Sequence, residues 1–170
     1  MSECEFIQVA SRWATEIDNE WQVIEAPGSV ILQKQLLVPT ENPTDTEWID
    51  ADEWTVRINR KLVRWNVHVF YSNIWQCPVV YWNVFDDATG MPIGWAISDS
   101  QPAVMMHDHP ILNIPYWHLH PCHTKTQVMR CKSHTEMLCL WLSLVDEAFR
   151  KLKIPIRCIS LQSASQITRM

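Results

Sequence analysis

The chain has 170 residues and a net charge of -5, enough for one domain with its own core and no metal or disulfide staple. With 47% hydrophobic and 19% charged residues it is not a disordered chain, and its pI of about 5.8 argues against a general nucleic-acid binder or a polybasic membrane-surface protein. No apolar run approaches the roughly 18 residues of a bilayer span, and the acidic opening Met1-Ser2-Glu3-Cys4-Glu5 is not followed by a signal-peptide pattern, so the six cysteines read as cytosolic thiols.

The first predicted element is an amphipathic helix over residues 3 to 25. Phe6, Ala10, Trp13, Ile17, Trp21 and Ile24 recur at steps of three and four. Ser2 and Glu5 have capping-box spacing, and Pro27-Gly28 is expected to end the helix. Residues 29 to 38 read as a strand, 39 to 52 as a surface loop and 54 to 60 as a further strand. In residues 62 to 72, Val63, Trp65, Val67, Val69 and Tyr71 alternate with Arg64, Asn66 and His68, a half-buried strand pattern. His68 reads as a solvent-facing or satisfied strand histidine. Residues 77 to 86 form a β-branched and aromatic strand. Asp86 to Gly90 is a turn, with a short return strand over Met91 to Ile97.

Residues 98 to 132 hold four prolines, Pro102, Pro110, Pro115 and Pro121, and are expected to be irregular. They also hold Met105, Ile111, Tyr116 and Trp117, so the loop must be packed, and a long packed loop points to function. Ser133 and Glu136 repeat the capping-box spacing ahead of a helix over 134 to 152, with Met137, Leu140, Trp141, Leu144, Val145 and Ala148 on one side. Residues 156 to 161 are a last strand or packed tail, and 162 to 170 fray. The order makes a single α+β domain over residues 1–170, an antiparallel sheet flanked by an N-terminal and a C-terminal helix.

Five of the seven histidines lie between His107 and His123. Three readings compete for them. H-x-H pairs (His107 with His109, His118 with His120), completed by Cys122, His123 or Cys131, would bind zinc. The spacing matches no zinc signature, and the prolines interrupt the strand such pairs need. Alternatively Cys122, in a proline-bounded polar context between His120-Pro121 and His123, is a nucleophile. Cys77 and Cys139 instead suit buried packing. The third reading is a histidine-rich loop that makes hydrogen bonds only.

The string His120-Pro121-Cys122-His123-Thr124 resembles the H-P-C motif of the E2-like conjugating enzymes of autophagy. Asp108-His109-Pro110-Ile111-Leu112, Pro115-Tyr116-Trp117 and Trp141-Leu142-Ser143-Leu144-Val145 are similar to the autophagy-related protein ten family in particular. So are Pro78-Val79-Val80-Tyr81-Trp82 and Gly90-Met91-Pro92-Ile93. The resemblance spans about residues 62 to 152. It implies an E2-like fold with a catalytic loop at about 98–132 and no cofactor or metal. It implies that Cys122 accepts a ubiquitin-like protein, autophagy protein twelve, from the E1-like autophagy protein seven as a thioester. Transfer to a lysine of autophagy protein five would follow, in the cytoplasm or at the forming autophagosome. The alternatives are a zinc-binding module on the His107–His123 cluster and a non-catalytic E2-like scaffold.

Ubiquitin E2 enzymes carry an H-P-N asparagine ahead of their cysteine, and here His-Pro runs directly into Cys122. A substitute oxyanion donor is therefore expected, with Asn113 and Tyr116 as candidates and Asn83 as a weaker one. His120 is expected to orient the loop through backbone hydrogen bonds. Asp108 or Asp99 would position the incoming lysine. Family members work without a dedicated E3 ligase, so the chain must meet its acceptor directly. An edge strand between residues 54 and 72 is the expected platform, with Trp48, Trp54 and Trp75 as anchors or as a satellite core.

Overall fold

In the computed structural model, residues 1–26, 29–39, 62–93, 104–121, 131, 133–152 and 157–158 are described. The expectations for residues 40–61, the strand at 54–60 among them, and for 162–170 lie outside these. The Ser2 hydroxyl accepts from Glu5 N, and the Glu5 carboxylate accepts from Ser2 N at 2.6 Å. This reciprocal capping box starts α1, Glu3–Arg12. A π-helical turn, Trp13–Ile17, continues it and closes with Asp18 N on Trp13 O.

The helix expected to reach residue 25 stops there. Asp18 accepts the Glu20 and Trp21 amides through its side chain and carbonyl, an Asx-type turn that redirects the chain. Trp21–Ala26 is then strand β1, not helix. Trp21 is buried from the strand and Ile24 is exposed, so the helical spacing of these two residues was coincidental. Pro27-Gly28, expected as a helix end, lies outside the described residues. Ala26 pairs with Ser29.

β2 (Ser29–Pro39), β3 (Leu62–Ser72) and β4 (Cys77–Asp86) follow as an antiparallel meander. Gly90, at φ 68, turns the chain after β4. Of the return strand expected over 91–97, a single Phe85–Pro92 bridge is present among the described residues.

The stretch expected to be irregular contains two strands, β5 (Val104–Asp108) and β6 (Pro115–Leu119), paired antiparallel. Its three described prolines sit at strand boundaries and not inside them. Pro110 lies in the connecting turn, Pro115 opens β6 and Pro121 follows it. Such positions leave the ladder intact. The six-stranded sheet runs β1-β2-β3-β4-β6-β5. β3 is therefore internal, which corrects the part of the expected 54–72 edge platform that lies at 62–72; residues 54–61 lie outside the described residues, among which the sheet edges are β1 and β5.

The Ser133 hydroxyl caps the second helix, α2 (His134–Lys151), by accepting from Glu136 N. Its fully buried stripe is Leu138, Cys139, Trp141, Leu142, Val145 and Phe149, while Leu140 is exposed. The expected face was thus displaced by about one position, with Met137 and Leu144 at its margin. Helices and sheet share one core. Phe6, Ala10 and Trp13 meet Val67, Val69, Trp82 and Val84 there, and Trp82 stacks edge-on to Phe149 at 5.1 Å. The Trp21 indole donates to Cys158 O at 3.0 Å, which ties Cys158 into this core. The architecture is the α+β one expected, a central antiparallel sheet flanked by an N-terminal and a C-terminal helix.

Candidate functional site

Alternation along a strand sends successive side chains to opposite faces. Val67, Val69, Val80, Trp82, Trp117 and Leu119 face the helices. The residues between them build a second, polar and aromatic face. Its registers align Gln33 with His68, His68 with Tyr81, Tyr81 with His118, and His118 with Met105, a row across five strands. Tyr81 and His118 have ring centroids 4.5 Å apart.

Over this row lies His109, in the turn between β5 and β6 and fully buried. Its ring is within 5.0 to 5.3 Å, centroid to centroid, of His68, Phe70, Tyr81 and Tyr116. Its Nδ1 accepts from the amides of Ile111 and Leu112 at 3.2 and 3.3 Å. Its backbone pairs with Ile114 O and Asn113 N. The Nε2 meets His68 Nδ1 at 3.2 Å, and His68 Nε2 meets the Gln33 side-chain amide at 3.0 Å. Burial lowers the pKa of His109 to about 4, and burial with the neighbouring His109 does the same to His68. Both rings are neutral at pH 7. His68 is thus a satisfied, buried histidine, one of the two expectations for it.

His118 is also held to about 4, by burial first and then by His107 and His120. Both its ring nitrogens are buried with no hydrogen-bond partner among the described residues. The His107 and His120 rings lie 6.1 and 6.5 Å from it. Among the described residues no three His, Cys, Asp or Glu side chains form a group able to hold a metal ion. His123 of the expected cluster lies outside them.

The expected site residues fall at two ends of β6. Asn113 stands just before it, exposed, with φ 54 and its amide donating to His109 O at 2.8 Å. This left-handed residue closes the turn, a conformation asparagine tolerates better than most. Tyr116 is buried inside β6, stacked on His68 at 5.3 Å. Burial raises its pKa, with the Asn66 side chain hydrogen-bonding in the opposite sense. Asn83 donates to Pro115 O at 2.8 Å. His120 and Pro121 follow the other end of β6. The strand's five residues put about 16 Å between those ends, so Asn113 and His120 are not brought together. Cys122 lies outside the described residues.

The His120 ring packs edge-on against Trp75 at 4.8 Å. Trp75 sits in the turn between β3 and β4, beside the 87% exposed Ile74, and Trp48 and Trp54 lie outside the described residues. Asp108 is exposed at the end of β5, and Asp99 lies outside. Three other thiols sit in environments that disfavour the thiolate. Burial pushes Cys139 up to about 11, Cys131 upward, and Cys158 well up. Sequence reading had missed His109 as a structural centre and had not linked it to His68. The His109-Pro110 step in a packed loop was the available signal.

The family described as "Autophagocytosis associated protein, active-site domain" matches residues 5–155. No curated protein sequence matches the chain. Among solved structures it is similar to "Crystal structure of Autophagic E2, Atg10", at 13% identity and a TM-score of 0.48, covering 91% of this chain and 98% of that one. It is similar as well to "Solution structures of KmAtg10", at 14% identity and 0.43, covering 92% and 97%.

Proposed function

Because the chain belongs to the family of autophagocytosis-associated active-site domains, we propose that it is an E2-like conjugating enzyme of the autophagy pathway with Cys122 as its thioester nucleophile. The observation that carries this reading is the span of the family match, residues 5–155, which takes in His120-Pro121-Cys122. The raised thiol pKa values of Cys131, Cys139 and Cys158 support it, since none of these competes as a thiolate.

The reaction has two acyl transfers. The Cys122 thiolate attacks the C-terminal thioester of a ubiquitin-like protein on an E1-like enzyme. The carbon–sulfur bond to the E1 cysteine breaks and that thiolate leaves. A lysine amine then attacks the Cys122 thioester, loses a proton, and expels the Cys122 thiolate as the isopeptide bond forms. The partners that fit are autophagy proteins seven, twelve and five, as E1-like enzyme, cargo and acceptor, meeting in the cytoplasm. His120, wedged on Trp75, orients the segment that bears the nucleophile. Tyr116 is the donor proposed for the developing oxyanion. The strand length between Asn113 and Pro121 favours an action of Asn113 through its turn.

Replacing Cys122 with Ser tests the reading directly. Charging by the E1-like enzyme should give a product that resists thiols and yields to hydroxylamine, because an oxygen ester replaces the thioester. A Cys122→Ser chain that forms no such ester, or a wild-type adduct unaffected by thiols, contradicts it.

A further inference from the structure

The hairpin β5–β6 leads into His120 and Pro121, with Cys122 the next residue in the sequence, and among the described residues its backbone grip on the sheet is short. Among the described residues β6 pairs with β4 at Val80–Leu119, Tyr81–His118 and Trp82–Trp117, and β5 pairs with β6 alone. Three register pairs at one end leave the turn at the other end to be held by side chains. The Asn83 amide holds Pro115 O. His109 does more: from the turn, it reaches across β4 to His68 on β3. We propose that His109 is a positioning residue, a clamp whose link to His68 fixes the β5–β6 hairpin on the sheet for the transfer step.

The protons of the clamp follow from its geometry. His109 Nδ1 accepts from two backbone amides, so in the neutral ring the proton is on Nε2. That N–H donates to His68 Nδ1. The His68 proton is then on its own Nε2 and donates to Gln33. The structure puts Gln33 Nε2 at this position, but the two ends of an amide are interchangeable in such an assignment, and the proton requires the oxygen there. One directed chain runs from the turn amides through two imidazoles to β2. A protonated imidazole at either place would break it, and burial holds both rings neutral at pH 7.

The ring also connects the clamp to the other end of β6. His109 packs on Tyr81, Tyr81 packs at a tilt on His118, and His118 neighbours His120. A hairpin released from His68 therefore changes the support under the segment that carries the nucleophile. The role in transfer rests on the conjugation reading above; the proton arrangement does not.

Two substitutions separate the halves of the clamp. His109→Asn keeps an acceptor at the position of Nδ1 for the turn amides and loses the reach to His68. His109→Gln keeps a donor at the position of Nε2 and loses the turn acceptor. Single-turnover discharge of the charged protein to lysine is compared with charging by the E1-like enzyme. His109→Asn should discharge about tenfold more slowly while charging within about twofold of wild type, and His109→Gln should restore discharge. Wild-type discharge in His109→Asn, or a greater loss in His109→Gln, overturns the clamp, since a role confined to the turn gives that order. A wild-type chain that never charges overturns the conjugation reading instead. Nitrogen NMR of the imidazoles decides the clamp without the reaction. Neutral Nε2–H tautomers for both rings at pH 7 are expected, and an Nδ1–H tautomer or ordinary titration near 6.5 for His109 overturns it.

Discussion

On the helix side of β3 and β4 the residues are Val63, Trp65, Val67, Val80, Trp82 and Val84. One step along the same strands, the other side carries Asn66, His68, Tyr81 and Asn83. The first face is held by area removed from water, which is non-directional and tolerant of exchange among apolar shapes. The second is held by directed hydrogen bonds between buried groups, where a missing partner costs more than the bond contributed. The comparison teaches a division of labour. The apolar face secures the fold, and the polar face holds the β5–β6 hairpin on the sheet.

The largest effect that would break this comparison is on the apolar face. Trp82→Ala should cost about 3–5 kcal/mol of stability, read from denaturant midpoints, because Trp82 is fully buried against Phe149. On the polar face Tyr116→Phe keeps the stack on His68 and loses only the hydroxyl. It should cost about 1 kcal/mol. Equal losses for the two variants would remove the distinction.

Acid should act on the polar face first. His68, His109 and His118 have folded-state pKa values lowered from 6.5 to about 4. Below 6.5 the unfolded chain binds protons that the folded chain refuses, so stability falls as pH falls, until the folded rings protonate near 4. The slope is at most about 1.4 kcal/mol per pH unit for each ring. Urea midpoints between pH 7 and 5 should fall accordingly, and the fall should shrink in His68→Phe. A flat profile over that window contradicts the buried neutral assignment.

Much of the fold could be read from the residues. β3 was legible because apolar and polar side chains alternate along it, and β4 because it is dense in β-branched and aromatic residues. Both helix starts were legible because a serine cap acts locally, with the reciprocal glutamate shown at Glu5. Trp21 and Ile24 misled because two strand residues happened to continue a helical spacing, and the Asx turn at Asp18 outweighed it. β5 and β6 were hidden because proline was taken as a breaker when it stood at the strand boundary. The candidate site was legible in parts. The tripeptide His120-Pro121-Cys122 is local, but the His109–His68 link joins residues 41 positions apart, and only the register of the sheet brings them together.

A smaller effect sharpens the account of the turn. Asn113→Ala places a Cβ-bearing residue without a helpful side chain at φ 54 and should cost about 1 kcal/mol. Asn113→Gly should not. If Asn113 acts through its turn, lysine transfer will slow in the alanine variant more than thioester loading, and glycine will largely retain it. Loss of transfer in both variants would instead assign the role to the amide side chain itself, and wild-type rates for both steps in both variants would remove Asn113 from the mechanism.

The central claim is that Cys122 carries the thioester, and the most direct measurement is a charging reaction of this chain with an active E1-like enzyme, ATP and a ubiquitin-like protein. Non-reducing and reducing gels of wild type and Cys122→Ala are compared. The account predicts a thiol-sensitive adduct with wild type and none with Cys122→Ala. An adduct that persists in Cys122→Ala, or its absence from wild type while the E1-like enzyme is itself charged, would contradict it.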